Sequence, residues 1–209
     1  MKPSYLIRIV DDEPEVCRSL RFMLEVAGFS VQTYLGAESF LSVEETDAVG
    51  CLLTDVRMPG MSGLELQHKL KERHSNLPIV FLSAHGDIRM AVEAVQAGAV
   101  DFLVKPPEAE ALIRVLEKAC QMHAERRAVT RDLKRMEEAW AQLTDAERST
   151  AELASKGLPN RQIASVLDVT EDTIRSRRAV IFDKLDVCNA VELSDYLHEL
   201  ESLRKTVTW

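Results

Sequence analysis

Residues 79–82 read Ile79-Val80-Phe81-Leu82, an unbroken apolar run that follows Pro78 and ends on Ser83. A strand so uniformly apolar is buried on both faces, which is the habit of a parallel sheet covered by helices on either side. Similar short runs of aliphatic and β-branched residues stand at Tyr5–Val10, Ser30–Tyr34, Cys51–Thr54 and Phe102–Val104. Between them, apolar residues recur at helical spacing: Val16/Leu20/Met23/Leu24, Leu64/Leu66/Leu70, Ala91/Val92/Val95 and Leu112/Val115/Leu116. Strand alternating with helix predicts a parallel α/β sheet.

Five such units make a flavodoxin-like, doubly wound, five-stranded domain, a fold that places its site beyond the carboxyl ends of the strands. The remaining sequence is too long for a tail. With 209 residues, 46% hydrophobic and 29% charged, the chain has the balance of a folded protein with two domains of ordinary size. No apolar run approaches the roughly 20 residues that cross a bilayer, so no membrane partner is expected. Asp11, Asp12 and Glu13 follow Lys2 and Arg8 before a hydrophobic region can develop, which argues against a secretion signal. Cys17, Cys51, Cys120 and Cys188 are widely spaced, without a C-x-x-C pair. They predict four buried or half-buried free thiols in a reducing cytoplasm, not a disulfide framework or a zinc site.

Net charge is −8, so the molecule as a whole is no nucleic-acid sponge. Residues 1–118 hold 12 Lys/Arg against 18 Asp/Glu, and residues 119–209 hold 14 against 16. One compact basic cluster stands out: Arg175, Arg177, Arg178 and Lys184, opposed within the same stretch by Asp183 alone.

Beyond Leu112 the apolar residues keep helical spacing. Met122, Val129, Leu133, Met136, Trp140 and Leu143 form a seam of about three heptads, interleaved with charge and free of Pro or Gly from Glu108 to Ser155. One long helix, or two nearly joined, is expected here as a linker. Its seam, over 129–143, is expected to take part in a parallel dimer contact; the alternative is a stripe packed on its own domain. Four short helices follow. Thr144 with Glu147 has the form of a capping box, and Lys156-Gly157 closes that helix. The next begins near Asn160, the third near Thr170-Glu171-Asp172, and the fourth covers Val191–Leu200. The middle pair, joined by a tight turn at Leu167–Thr170, has the layout of a helix-turn-helix.

The strands of the first domain end on chemistry. Asp11 and Asp12 follow the first, Asp55 the third, Ser83 the fourth and Lys105 the fifth. A parallel sheet delivers all of these to one edge. A single strand-end polar residue is ordinary surface; five of complementary type are a site. Crowded carboxylates repel one another unless a cation joins them, and oxygen ligands that leave room for water suit Mg2+. A metal and a lysine beside an acidic cluster prepare it for a multi-oxygen anion, as phosphoryl transfer requires. Asp55, at the centre, is then the phosphorylated nucleophile.

These motifs, Asp11-Asp12, Asp55-Val56-Arg57-Met58-Pro59-Gly60-Met61-Ser62-Gly63, Leu82-Ser83-Ala84-His85 and Phe102-Leu103-Val104-Lys105-Pro106, resemble the receiver domain of two-component response regulators, over residues 4 to about 119. The resemblance implies that Asp12, Asp55 and the backbone carbonyl of Arg57 bind Mg2+, with Asp11 assisting through water. It implies that Asp55 takes its phosphoryl group from a sensor histidine kinase, that Lys105 pairs with that group, and that Ser83 moves to bond it. Phe102 matches the aromatic switch position. Pro59 and Gly60 shape the loop after Asp55, and Gly63 opens the next helix. Pro107 departs from the usual bulky apolar residue. His85 is expected at the rim of the pocket, with no catalytic role.

Residues 140–200, from Leu143-Thr144 through Asn160-Arg161-Gln162-Ile163-Ala164 to Thr173-Ile174-Arg175, Arg178 and Lys184-Leu185, resemble the LuxR-type helix-turn-helix of FixJ/NarL-class regulators. The resemblance implies DNA contact by Arg175, Ser176, Arg178 and Ala179, with Asn160, Thr173 and Lys184 near phosphates. Arg177 stands where histidine is common, Asp145 replaces a frequent proline, and Ala179 cannot donate to a base, so the operator is not legible. The implied organisation is a receiver domain at 1–119, a helical linker at 120–142 and a DNA-binding domain at 143–209. The implied partners are a histidine kinase, promoter DNA, a second copy when phosphorylated, and RNA polymerase. Two other readings stay open. One is a Mg2+-dependent aspartyl-phosphate phosphatase, disfavoured by Arg57 where such enzymes carry a second carboxylate. The other is a regulator whose last domain contacts only protein.

Overall fold

The computed structural model describes residues 5–43, 48–84 and 88–207. The chain divides into two compact units, Met1–Arg126 and Arg127–Trp209. The first unit holds five parallel strands: β1 (Leu6–Val10), β2 (Ser30–Tyr34), β3 (Gly50–Asp55), β4 (Ile79–Ser83) and β5 (Asp101–Val104), ordered β2-β1-β3-β4-β5. Each lies within two residues of its expected bounds, because continuous apolar runs bounded by Asp, Gly or Pro leave the strand little room to slip.

Successive side chains of a strand point to opposite faces, and here each face has its own helices. Ile7, Ile9, Leu53, Val80 and Leu82 pack on one side with Leu20 and Leu24 of α1 (Pro14–Val26) and Leu112 and Leu116 of α5 (Ala109–Ala141). Val10, Leu52, Ile79 and Phe81 pack on the other. There they meet Phe40 of α2 (Ala37–Leu41), Leu66 and Leu70 of α3 (Gly63–Glu72), and Ala94 of α4 (Ile88–Gln96). Two local expectations are corrected. Helix α2 has no counterpart in the sequence reading, since five residues anchored by Phe40 fall below a readable period. On α4 the inward residue is Ala94, while Val92 and Val95, read as its apolar face, stand exposed.

Helix α5 is one continuous helix of 33 residues, and the division between the units falls inside it, after Arg126. In the second unit it is followed by α6 (Asp145–Ser155), α7 (Asn160–Leu167), α8 (Glu171–Leu185) and α9 (Ala190–Val207). The caps form as the sequence predicts. Thr144 Oγ1 accepts from the Glu147 N–H while the Glu147 carboxylate accepts from the Thr144 N–H. Gly157 takes φ +79°, the left-handed turn that a residue with a side chain resists. Leu143, Ala151, Ile163, Ile174, Ile181, Leu185 and Leu193 form the core of the three- to four-helix cluster.

The seam of α5 is where expectation and structure part. Leu133 and Met136 are 8% and 5% exposed, buried against Leu200, with Trp140, Tyr196 and Leu203 packed around them. Helix α9 runs to Val207, beyond the expected Leu200, and its extra length adds Leu203 to the cover. The Tyr196 hydroxyl donates to the Met136 carbonyl at 2.8 Å, and Arg204 pairs with Glu137 at 3.1 Å. Leu143 joins the core of the second unit. This part of the seam packs as an intramolecular stripe. The thiols need a smaller correction: Cys17, Cys51 and Cys120 are buried and free, but Cys188 is exposed.

Candidate functional site

The carboxyl edge of the sheet gathers the residues that the sequence scatters from Asp11 to Lys105. Ligand oxygens of Asp11, Asp12 and Asp55 all lie within 4.8 Å of one another. The Lys105 ammonium donates to Asp11 and to Asp55, each at 2.6 Å, and stands 3.7 Å from Glu13. Asp11 and Asp55 are buried. Lys105 is carried by the end of β5, where its N–H donates to the Ser83 carbonyl at 2.8 Å. Ser83 is buried on β4, one residue past the Leu82 that pairs with Asp55. Burial of the Lys105 ammonium pulls its pKa down, but hydrogen bonds and attraction from Asp11 and Asp55 outweigh this and hold it above the ordinary lysine value.

Backbone groups orient the acids. The Arg57 N–H donates to Asp55 Oδ1 at 3.1 Å, and the Glu13 N–H to Asp11 Oδ1 at 3.0 Å. Gly63, the first residue of α3, lies so close that a Cβ would stand 2.1 Å from the Asp55 carbonyl oxygen. Ser62 caps α3 in a box with Glu65. Any other residue at Gly63 would push α3 off the strand that carries Asp55. Beneath the site, the Cys17 thiol lies 3.5 Å from the Asp11 carbonyl. Burial, then the Asp11 charge, push its pKa up to about 11, so it stays protonated and inert. Phe102 is half-buried, its ring centroid 6.4 Å from that of Phe81. His85 lies outside the described residues.

Three carboxylates offering hard oxygen donors fit a Mg2+ ion, and among the described residues no His or Cys joins the cluster. Glu13 is the residue that the sequence reading left out of the site: third in the acidic run, it stands 3.7 Å from the Lys105 ammonium that Asp11 and Asp55 hold.

In the second unit, the N-cap of α8 is Thr170, whose hydroxyl oxygen accepts from the Thr173 N–H and hydrogen-bonds the Thr173 hydroxyl at 2.8 Å. Arg175, Ser176 and Ala179 are exposed along one side of α8, opposite the buried Ile174, Ile181 and Leu185. Arg175 pairs with Asp172 at 2.9 Å, an exposed contact that a stronger anion can displace. The remaining expected residues are less free. Arg178 donates to Asn160 Oδ1 at 2.8 Å. Lys184 donates to Glu147 Oε2 at 2.8 Å and to the Gln142 carbonyl at 3.2 Å, so its ammonium ties the end of α8 to the start of α6.

That tie has a measurable consequence. The Lys184 hydrogen bond, then the Thr144 N–H, hold the Glu147 carboxyl below the ordinary glutamate range. The folded carboxylate thus binds protons less readily than the unfolded one. Its stabilisation is present above the unfolded value, about pH 4.3, and is lost as pH falls through that value and the lower folded one. Urea midpoints followed by tryptophan fluorescence will fall on acidification in the wild type. Glu147→Gln lowers the midpoint at neutral pH and flattens the dependence. Trp140 packs against the core of this unit and reports on it.

Comparison with known proteins matches each half of the chain to a family. Residues 7–117 match the family described as response regulator receiver domain, and residues 141–197 match bacterial regulatory proteins of the luxR family. The transcriptional regulatory protein FixJ of Rhizobium meliloti (strain 1021) is 39% identical over 182 residues, covering 87% of this chain and 89% of that one. The response regulator protein TodT of Pseudomonas putida is 37% identical over 188 residues, covering 90% and 83%. Among solved structures, the response regulator StyR superposes with a TM-score of 0.89 at 40% identity, covering 94% of this chain and 99% of that one. Full-length FixJ from B. japonicum superposes with a TM-score of 0.57 at 35% identity, covering 95% and 98%. An acidic, lysine-bearing sheet edge followed by a capped helix-turn-helix, with both family matches and full-length relatives behind it, makes this chain a member of the FixJ/NarL-class response regulators.

Proposed function

We propose that the chain is a phosphorylation-controlled transcriptional regulator. Its receiver domain spans residues 1–119, its helical linker 120–142 and its DNA-binding domain 143–209. The observation that carries this reading is the Lys105 ammonium held between two buried carboxylates at 2.6 Å, Asp55 among them. An ammonium fixed there neutralises an incoming phosphoryl oxygen where it arrives. The Asp55 carboxylate attacks the phosphorus of a sensor kinase's phosphohistidine whose other ring nitrogen carries a proton; the new O–P bond forms as the P–N bond breaks, the bonding pair stays on the ring nitrogen, and the imidazole leaves neutral. The backbone N–H of Arg57 fixes the angle of the Asp55 carboxylate, and Lys105 exchanges a carboxylate partner for the phosphoryl group. Asp11, Asp12, Asp55 and the Arg57 carbonyl would hold Mg2+, which supplies charge neutralisation at the phosphoryl oxygens. With Arg57 in place of a second carboxylate, no acid/base group stands two residues after the nucleophile to hasten hydrolysis, so the phosphoryl group persists as a signal rather than turning over.

Ser83 and Phe102 then reposition, and the exposed apolar face of α4 and β5 becomes the dimer contact. Val92, Val95 and Val104 are 48%, 52% and 51% exposed there and offer apolar surface to a partner. Dimerisation sets two copies of α8 on half-sites one turn of promoter DNA apart, where RNA polymerase is recruited or blocked. Arg175, Ser176 and Ala179 face the major groove. In the test, the full chain is titrated onto promoter fragments before and after treatment with acetyl phosphate and Mg2+. Affinity rises with treatment and falls steeply with salt, as phosphate contacts require. Arg175→Ala loses about tenfold or more, the order of one bidentate base contact. Affinity that is indifferent to both salt and Arg175→Ala would point to a domain that contacts only protein.

A further inference from the structure

Arg178 belongs to the basic cluster of α8, yet its guanidinium is turned back into the protein. Nη1 donates to Asn160 Oδ1 on α7 at 2.8 Å, and the guanidinium carbon lies 5.5 Å from the centroid of the Phe182 ring, one turn along α8. The residue is half-buried, whereas Arg175, Ser176 and Ala179 on the same helix are exposed. Stacking on a ring face fixes the plane of the guanidinium, and the hydrogen bond fixes its direction.

The chemistry of the pair settles which way Asn160 points. Arginine carries five N–H donors and no acceptor, so an amide can meet it only with its oxygen. With Oδ1 held by Arg178, Nδ2 and its two N–H groups are directed away from the guanidinium. Asn160 is the first residue of α7, between exposed Pro159 and exposed Arg161 and Gln162, and is itself partly exposed. A donor pair fixed at that place suits a phosphate oxygen of a DNA backbone.

We infer that Arg178 is a positioning residue and not a DNA ligand: it holds the Asn160 amide so that Nδ2 donates to a backbone phosphate. This rests on reading α7 and α8 as the DNA-binding pair and refines it: Asn160 keeps its expected place near a phosphate, while Arg178 leaves the expected contacts and orients Asn160 instead. The distinction is physical. A cation on a phosphate releases counterions and steepens the salt dependence; an uncharged amide does not.

The test is equilibrium binding of the full chain to a fluorescent mixed-sequence duplex of about three helical turns, measured across a salt series. Phosphate contacts persist in sequence-independent binding, so no operator is required. Arg178→Ala and Asn160→Ala each weaken binding about fivefold, the order of one lost hydrogen bond. The double variant is no weaker than either single one, and the slope of log affinity against log salt stays at the wild-type value in all three. Asn160→Asp keeps the acceptor for Arg178 and the fold while removing both donors, so it binds more weakly than Asn160→Ala even if Arg178→Ala does not fold. A slope shallower by about 0.9 in Arg178→Ala, with an effect that adds to that of Asn160→Ala, would make Arg178 a direct phosphate ligand and overturn the inference. Wild-type affinity in Asn160→Asp would overturn it as well. A wild-type chain without salt-dependent affinity for duplex would remove the DNA-binding reading itself, and this refinement with it.

Discussion

Asp55→Asn will take up no phosphoryl group from acetyl phosphate and Mg2+, while the wild type gains one, as read by intact mass. The substitution is nearly isosteric and leaves the Arg57 N–H an oxygen to bond at Oδ1. What it removes is the anionic nucleophile and one of the two carboxylates that hold Lys105. Asp11, at 2.6 Å, keeps the ammonium paired, so the folded state survives and the loss is chemical. Lys105→Ala behaves differently. It leaves the buried Asp11 and Asp55 beside each other with no protein cation between them, so stability falls together with phosphoryl uptake. Wild-type uptake in Asp55→Asn would move the acceptor to another residue and leave the central strand without its assigned role.

The second large effect lies in the other unit. Leu133→Ala and Met136→Ala will each destabilise residues 127–209 by about 2–5 kcal/mol, seen as a lower urea midpoint of tryptophan fluorescence. Leu133 and Met136 are covered by Leu200, Tyr196 and Leu203, so truncation opens a cavity inside the unit. A dimer seam would behave otherwise: the same truncations would lower the association constant and leave the monomer's midpoint unchanged. Phosphorylation-dependent dimerisation, followed by sedimentation at temperatures where both variants stay folded, is expected to be retained, because the proposed contact is at Val92, Val95 and Val104 on the other unit.

The difference between these residues and the strands explains what could be read in advance. Ile79-Val80-Phe81-Leu82 has one physical solution, since a run apolar on both faces must be buried on both. The seam of α5 has two. Periodicity says that one face of the helix leaves water but not whose surface receives it, and the receiving residues, Leu200 and Leu203, lie more than 60 residues away in sequence. Helix α4 posed a related ambiguity. Ala91, Val92, Val95 and Ala94 can be grouped into more than one stripe, and it is the small Ala94 that joins the buried layer of Phe81 and Leu66.

By itself the sequence determined the five parallel strands, the acid, hydroxyl and lysine groups at one sheet edge, the capping box at Thr144 and Glu147, and the helix-turn-helix that follows. All of these follow from short-range chemistry: apolar runs, residues next to strand ends, and side chains three positions apart that satisfy helix termini. Tertiary structure alone decided that Lys105 sits between Asp11 and Asp55, that α9 covers α5, that Lys184 serves Glu147, and that Arg178 holds Asn160. Long cationic side chains on a helix surface can swing several ångströms towards any of several partners, and only the positions of the neighbouring helices choose among them.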